Sequence, residues 1–239
     1  MDTLLGENGC PWDLEQTHES IKVNLIEECY EVIDAINLTD MDSLCEELGD
    51  VLLQVIFHSK LAEKEEAFTL DQVIDGISKK MVLRHPHIFG HVQADTSDQV
   101  LRNWDAIKME EKGFESNTQA LRSVPKVLPA LLRAYKVQKK AVKTELIEWS
   151  AEDSIQGAID GLNALKEQIS EKSTFTNRIF EDILFFLVNI AGFFELNPEF
   201  ALTNATEQFI NRFENIENTF VSEGIAKKSC HTLKSTKNN

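Results

Sequence analysis

Apolar residues recur at helical spacing along most of this chain. Ile21, Leu25, Cys29, Val32, Ile33 and Ile36 fall within about 120° of one another on a helical wheel. They predict an amphipathic helix entered through the rigid segment Gly9-Cys10-Pro11-Trp12-Asp13, with Thr17 or Asp13 as its cap. Asn37-Leu38-Thr39-Asp40 reads as a short turn. Asp40 or Asp42 then caps a second helix running to about Glu66. In that helix Leu48, Leu52, Val55 and Ile56 fill one side while Leu53 and Phe57 occupy the other, so it is expected to be buried all round.

A third helix is predicted from about Leu70 to Leu83, ending at Arg84-His85-Pro86-His87 because the proline pushes His85 out of helical geometry. Further helices are predicted over Ser97–Lys112, Arg133–Lys143, Ala151–Glu171, Thr176–Leu196 and Pro198–Glu223. Leu48-Gly49-Asp50-Val51-Leu52-Leu53 superposes on Phe180-Glu181-Asp182-Ile183-Leu184-Phe185, a weak repeat that suggests two similar helical halves. The expected organisation is therefore all-α. It has a first module over residues 1–112, a polar and proline-bearing linker over 113–129, a second module over 130–223 and a disordered Lys/Ser/Thr/Asn-rich tail over 224–239.

Composition narrows the function. Only 10 glycines and 5 prolines among 239 residues agree with long uninterrupted helices. A formal charge of −16 opposes broad electrostatic attachment to nucleic acid or to an anionic membrane. The most apolar helix is interrupted by Glu181 and Asp182, and the first residues carry no signal-peptide pattern. Cys10, Cys29, Cys45 and Cys230 show no C-x-x-C spacing and fit free thiols in a reducing cytoplasm.

Chemistry enters with two acidic pairs, Glu28 with Glu31 and Glu47 with Asp50. Residues three apart share a helix face, so each pair can offer two carboxylates to one point between antiparallel neighbours. Four converging carboxylates repel one another, and Mg2+, which demands hard oxygen ligands, is the natural counter-charge. Charge spacing alone is a weak signal in so acidic a chain. It gains weight because Glu47 and Asp50 interrupt an apolar helix and flank Gly49, which lowers helix propensity but permits close approach of a partner or ligand.

Gly9-Cys10-Pro11-Trp12-Asp13, Gln16-Thr17-His18, Glu27-Glu28-x-x-Glu31, Glu47-Leu48-Gly49-Asp50 and Arg84-His85-Pro86-His87-Ile88-Phe89 occur in the order and at the spacing of MazG nucleoside triphosphate pyrophosphohydrolases. The resemblance is specific to about residue 112 and fainter to about 222. It implies tandem all-α modules with a four-helix-bundle type of active site completed by homodimerisation. It also implies Mg2+-dependent cleavage of NTP or dNTP to the monophosphate and pyrophosphate. On this resemblance Glu28, Glu31, Glu47 and Asp50 are the metal ligands, and Glu27 is an outer acid or orients the attacking water. Lys80 and Arg84 are candidate phosphate contacts, since an acidic cage needs cations on its far side. Trp12 either borders the base or packs in the core, and Gln16 offers amide hydrogen bonds to the base.

The chain departs from the family pattern in two places. Aligned from Trp149, the second module holds Gly161, Leu162, Leu165 and Ile179 where acids are expected and keeps only Asp182, while Gln208 replaces the lysine and leaves Arg212 alone. One carboxylate does not hold Mg2+ against water, so catalysis is assigned to the first module and a structural or dimerising role to the second. Only eight residues precede Gly9, so either the chain is truncated or the family's first helix is replaced. A non-catalytic, nucleotide-binding or dimerising regulator of the same fold, or a purely structural helical dimer, is the competing reading. His85, His87 and His91 are assigned to loop structure rather than to a metal, and Glu15-x-x-His18 lacks the second copy that a di-iron site requires.

Overall fold

A computed structural model describes residues 1–144, 146–171 and 177–222. Among these the regular elements are all helical: α1 (Pro11–Leu14), α2 (His18–Leu38), α3 (Met41–Lys64), α4 (Leu70–Arg84), α5 (Pro86–Phe89), α6 (Ser97–Lys112), α7 (Asn117–Arg122), α8 (Ala130–Val142), α9 (Ala151–Glu171), α10 (Asn177–Phe193) and α11 (Pro198–Ser222). The all-α expectation holds. The chain divides into two compact units, Met1–Lys112 and Gly113–Asn239.

Unit 1 is built on the α2–α3 pair. Thr17, rather than Asp13, starts α2 through a capping box, its hydroxyl accepting from the Ser20 N–H while the Ser20 hydroxyl accepts from the Thr17 N–H. Thr39 closes the helix in the left-handed region at φ 58°. Asp40, rather than Asp42, caps α3 by accepting from the Asp42 and Ser43 N–H groups at 3.1 Å. This two-residue turn makes α2 and α3 antiparallel neighbours in a fixed register. At the far end of the pair Leu5, Ile21, Phe57 and Leu61 form a small core, so the turn-rich first residues supply an apolar plug to it.

The expectation that α3 is buried all round is not met. Leu48 and Leu52 are 52% and 57% exposed, and Leu53 and Val55 are open as well. One broad partner, α2, and a lighter contact from α4 cannot cover every side of a helix. Periodicity shows which positions are apolar, not how many neighbours arrive to cover them.

α4 starts in a second capping box, at Thr69 and Gln72, and stops where Pro86 holds His85 at φ −120°, ψ 56°. His85 Nδ1 lies 2.7 Å from the Met81 carbonyl, and its ring sits 5.6 Å from that of His87, a local arrangement that organises the α4–α5 corner. α6 packs against α4 through buried Arg84.

In unit 2 the stretch expected to be a linker carries α7, whose Ala120 is buried with nearby Val124. Lys140 of α8 donates to the Ala120 carbonyl and to the Ser123 hydroxyl, both at 3.1 Å, so this segment is docked onto α8. The α9–α10 pair dominates the unit. A Cβ at Gly157 would lie 2.6 Å from the Phe186 ring and one at Gly161 2.6 Å from Ile183 Cγ1, so both glycines are needed for this close crossing. Gln138 donates to the Phe185 carbonyl at 2.8 Å, tying α8 to α10, and Glu199 accepts from the Leu132 N–H at 3.2 Å, tying α11 to α8. The expected tail, and the ends of helices predicted to begin at Thr176 and to finish at Glu223, fall outside the described residues.

Candidate metal centre

Register places the acids. With the turn at Thr39 and Asp40, Glu28 in the middle of α2 faces Glu47 and Asp50 on α3. One carboxylate oxygen from each of the three lies within 4.8 Å of the others, and among the described residues this is the one such group of three or more potential ligands. Two oxygens on opposite sides of a Mg2+ ion are separated by about 4.2 Å, twice the metal–oxygen distance. The observed spread is close to that separation.

Two carboxyls of the cluster are held above their ordinary range. Desolvation, then the charges of Asp50, Glu31 and Glu27, hold the Glu28 carboxyl above its ordinary range. Desolvation, then Glu31 through its charge and a side-chain hydrogen bond, then Glu46 and Asp50, push Glu47 up as well. Glu31 is therefore the immediate neighbour of Glu47, although it lies outside the tight trio. Glu27 is exposed beside Glu28 on the next face of α2. Carboxyls whose ionisation is opposed by desolvation and then by neighbouring acids are suited to a hard divalent cation, which reverses the sign of the local field.

The residues proposed to meet substrate are placed differently from one another. Lys80 is exposed on α4. Arg84 is buried, with Nη2 and Nε each 2.7 Å from the Glu111 carboxylate and its guanidinium 5.2 Å from the centre of the Trp104 ring, so its donors already serve the α4–α6 contact. Trp12 is 59% exposed, which removes core packing as its role, because single-turn α1 lies on the surface and Leu5 fills the core position beside it. The Gln16 amide donates to the Trp12 carbonyl at 2.8 Å and accepts from the Ser20 hydroxyl at 2.7 Å, so it braces the entry to α2. Nothing lies within 4 Å of a Cβ built on Gly49, so its face is open in the single chain.

Sequence reasoning missed the pairing of His18 with His58, whose Nδ1 atoms are 2.7 Å apart. The signal was available: the antiparallel register that sets Glu28 opposite Glu47 and Asp50 also sets His18 opposite His58. Unit 2 places the residues aligned with the acids in different surroundings. Gly161 lies against Ile183, and Asp182 has Arg178 3.9 Å away.

Residues 16–89 match the family model described as the MazG nucleotide pyrophosphohydrolase domain, a span that contains all five candidate acids. The chain is 47% identical over 224 residues to an uncharacterized protein, YabN, of Bacillus subtilis, covering 93% of this chain but only 46% of that protein. It is 38% identical to a nucleoside triphosphate pyrophosphohydrolase/pyrophosphatase MazG of Thermotoga maritima, covering 94% of this chain and 86% of the relative. Against a nucleoside triphosphate pyrophosphohydrolase of Escherichia coli it is 37% identical, covering 92% of this chain and 84% of the relative. With similarity sustained across most of both chains in the last two cases, this protein belongs to the MazG nucleotide pyrophosphohydrolase family.

Proposed function

We propose that unit 1 hydrolyses nucleoside triphosphates, NTP or dNTP, to the nucleoside monophosphate and pyrophosphate. The observation that carries this reading is the convergence of Glu28, Glu47 and Asp50 within 4.8 Å on the α2–α3 pair. These three would hold Mg2+, with Glu31 hydrogen-bonded to Glu47 as a fourth ligand or as the group that fixes its orientation. Bound there, the ion would supply charge neutralisation for the phosphate oxygens and would favour deprotonation of the attacking water.

The remaining work falls to the chain itself. Glu27, exposed beside Glu28, orients the attacking water and takes its proton. Water adds to phosphorus while the P–O bond in the bridge between the α- and β-phosphates breaks, leaving the monophosphate and pyrophosphate. Lys80 supplies an exposed cation for the phosphates, and exposed Trp12 offers a ring face to the base. Arg84 acts by holding α6 against α4 rather than by touching phosphate, because it is buried and its Nε and Nη2 engage Glu111.

Homodimerisation through unit 1 is part of the same reading. It is supported by the open apolar positions Leu48, Leu52, Leu53 and Val55 on α3 with Val23 and Ile26 on α2, a surface whose exposure costs free energy in water. A second α2–α3 pair against it would complete a four-helix site. Catalysis is assigned to unit 1 alone because Gly161, Leu162, Leu165 and Ile179 provide no carboxylate in unit 2. No described helix is long and apolar enough to cross a membrane, and Cys10, Cys29 and Cys45 are free thiols, which fits a cytoplasmic enzyme.

The test is product analysis with a panel of NTPs and dNTPs in Mg2+. Pyrophosphate and monophosphate should appear together and disappear in Glu47→Gln. Nucleotide binding without turnover would favour the regulatory alternative.

A further inference from the structure

Unit 2 contains a cavity of about 390 Å³ at the start of α8, lined by Lys126, Leu128, Ala130, Arg133, Val137 and Phe185 among others. Two of its walls are cationic and no acid lines it, an unusual neighbourhood in a chain of net charge −16. The Arg133 Nε atom is buried and has no hydrogen-bond partner. A buried guanidinium N–H without an acceptor is unfavourable unless a ligand or water completes it, and an anion does so best. Glu199 on α11 is engaged with the Leu132 N–H.

The rest of the lining is apolar, and Phe185 gives it an aromatic wall. That ring is set edge-on to Trp149 at 83° with centroids 6.0 Å apart, and its backbone carbonyl is held by Gln138, so the wall is positioned from two sides. A volume of this size matches a small molecule. Two cations and an aromatic ring in an otherwise apolar lining select a ligand that carries both a phosphate and a flat ring.

We infer that this cavity is a second, metal-independent ligand site, in unit 2, for a phosphate-bearing aromatic molecule of nucleoside monophosphate size. Lys126 and Arg133 receive the phosphate and Phe185 meets the ring. The site does not depend on the carboxylates of unit 1, and it gives the half of the chain that lacks those carboxylates a binding role. It also stands apart from the proposed hydrolysis, because it is read without metal and that activity requires metal.

The experiment is calorimetric titration of the full chain in EDTA with AMP, and with adenosine and pyrophosphate as the two halves of the ligand. AMP should bind saturably, and adenosine and pyrophosphate should each bind at least about tenfold more weakly. Arg133→Met and Lys126→Met should each weaken AMP about tenfold, while Glu47→Gln leaves its affinity unchanged. Lys126 lies in an exposed loop, so its substitution reads the site even if Arg133→Met does not fold. AMP binding that survives Lys126→Met and is lost in Glu47→Gln would overturn the proposal, as would the absence of saturable binding. Pyrophosphate binding as tight as AMP would overturn the aromatic assignment. Pyrophosphate release in Mg2+, measured on the same Lys126→Met protein, should stay within about twofold of the parent, so the two sites are separable.

Discussion

His18 on α2 and His58 on α3 meet Nδ1 to Nδ1 at 2.7 Å, their rings parallel to within 3°. One nitrogen must donate and the other accept, so the contact requires at least one neutral ring. It joins the start of α2 to the far part of α3 beside the Leu5, Ile21, Phe57 and Leu61 core.

Burial, then the neighbouring His18, lowers the pKa of His58 below its ordinary 6.5. A group whose folded pKa is depressed binds fewer protons in the folded than in the unfolded state, so its contribution is fully present above 6.5 and is lost as pH falls through that value and on through the folded pKa. His58 therefore pulls the thermal midpoint down between pH 7 and pH 5, against the opposite pull of Glu28 and Glu47. His58→Gln should remove that downward pull, and thermal melts across the range will show it.

Arg84→Met should destabilise unit 1 by about 2 kcal/mol, less than a fully buried pair because Glu111 keeps 29% of its side-chain surface. Arg84→Lys should recover only part of this, since lysine cannot reproduce two donors on one carboxylate or the contact with Trp104. Urea unfolding measures both. A raised KM with unchanged stability would instead return Arg84 to the substrate.

Gly49→Ala should stabilise the isolated chain by about 0.5–1 kcal/mol, because the added methyl meets nothing within 4 Å and alanine favours helix. A concentration-dependent loss of stability in the same melts would show a second protomer packed against this face.

How far the sequence revealed all this depended on whether a feature was local. Thr17 and Asp40 declare the starts of α2 and α3 by their chemistry, and the ends of α6 and α9 agree with the apolar pattern residue for residue. The trio of Glu28, Glu47 and Asp50 was legible because a two-residue turn fixes the register of two neighbouring helices. What stayed hidden was non-local. Nothing near Arg84 announces Glu111, 27 residues on, and the pattern of α3 does not reveal that Leu48 and Leu52 lack cover within their own chain. The docking of Ala120 and Ser123 onto Lys140 likewise turned an expected linker into part of unit 2.

Asp50→Asn removes one of the three converging oxygens' charges without changing side-chain size. Divalent-ion affinity should fall by at least about tenfold, read by Mn2+ titration of the metal-free protein. The apo protein should not lose stability, because one source of repulsion on Glu28 is relieved.

The most direct test of the central claim is the product ratio from an NTP incubated with the full chain in Mg2+, with and without Asp50→Asn. Pyrophosphate and monophosphate in equal amounts, reduced by at least about a hundredfold in the variant, is the predicted result. Orthophosphate as the sole product, or undiminished pyrophosphate release from the variant, would contradict it.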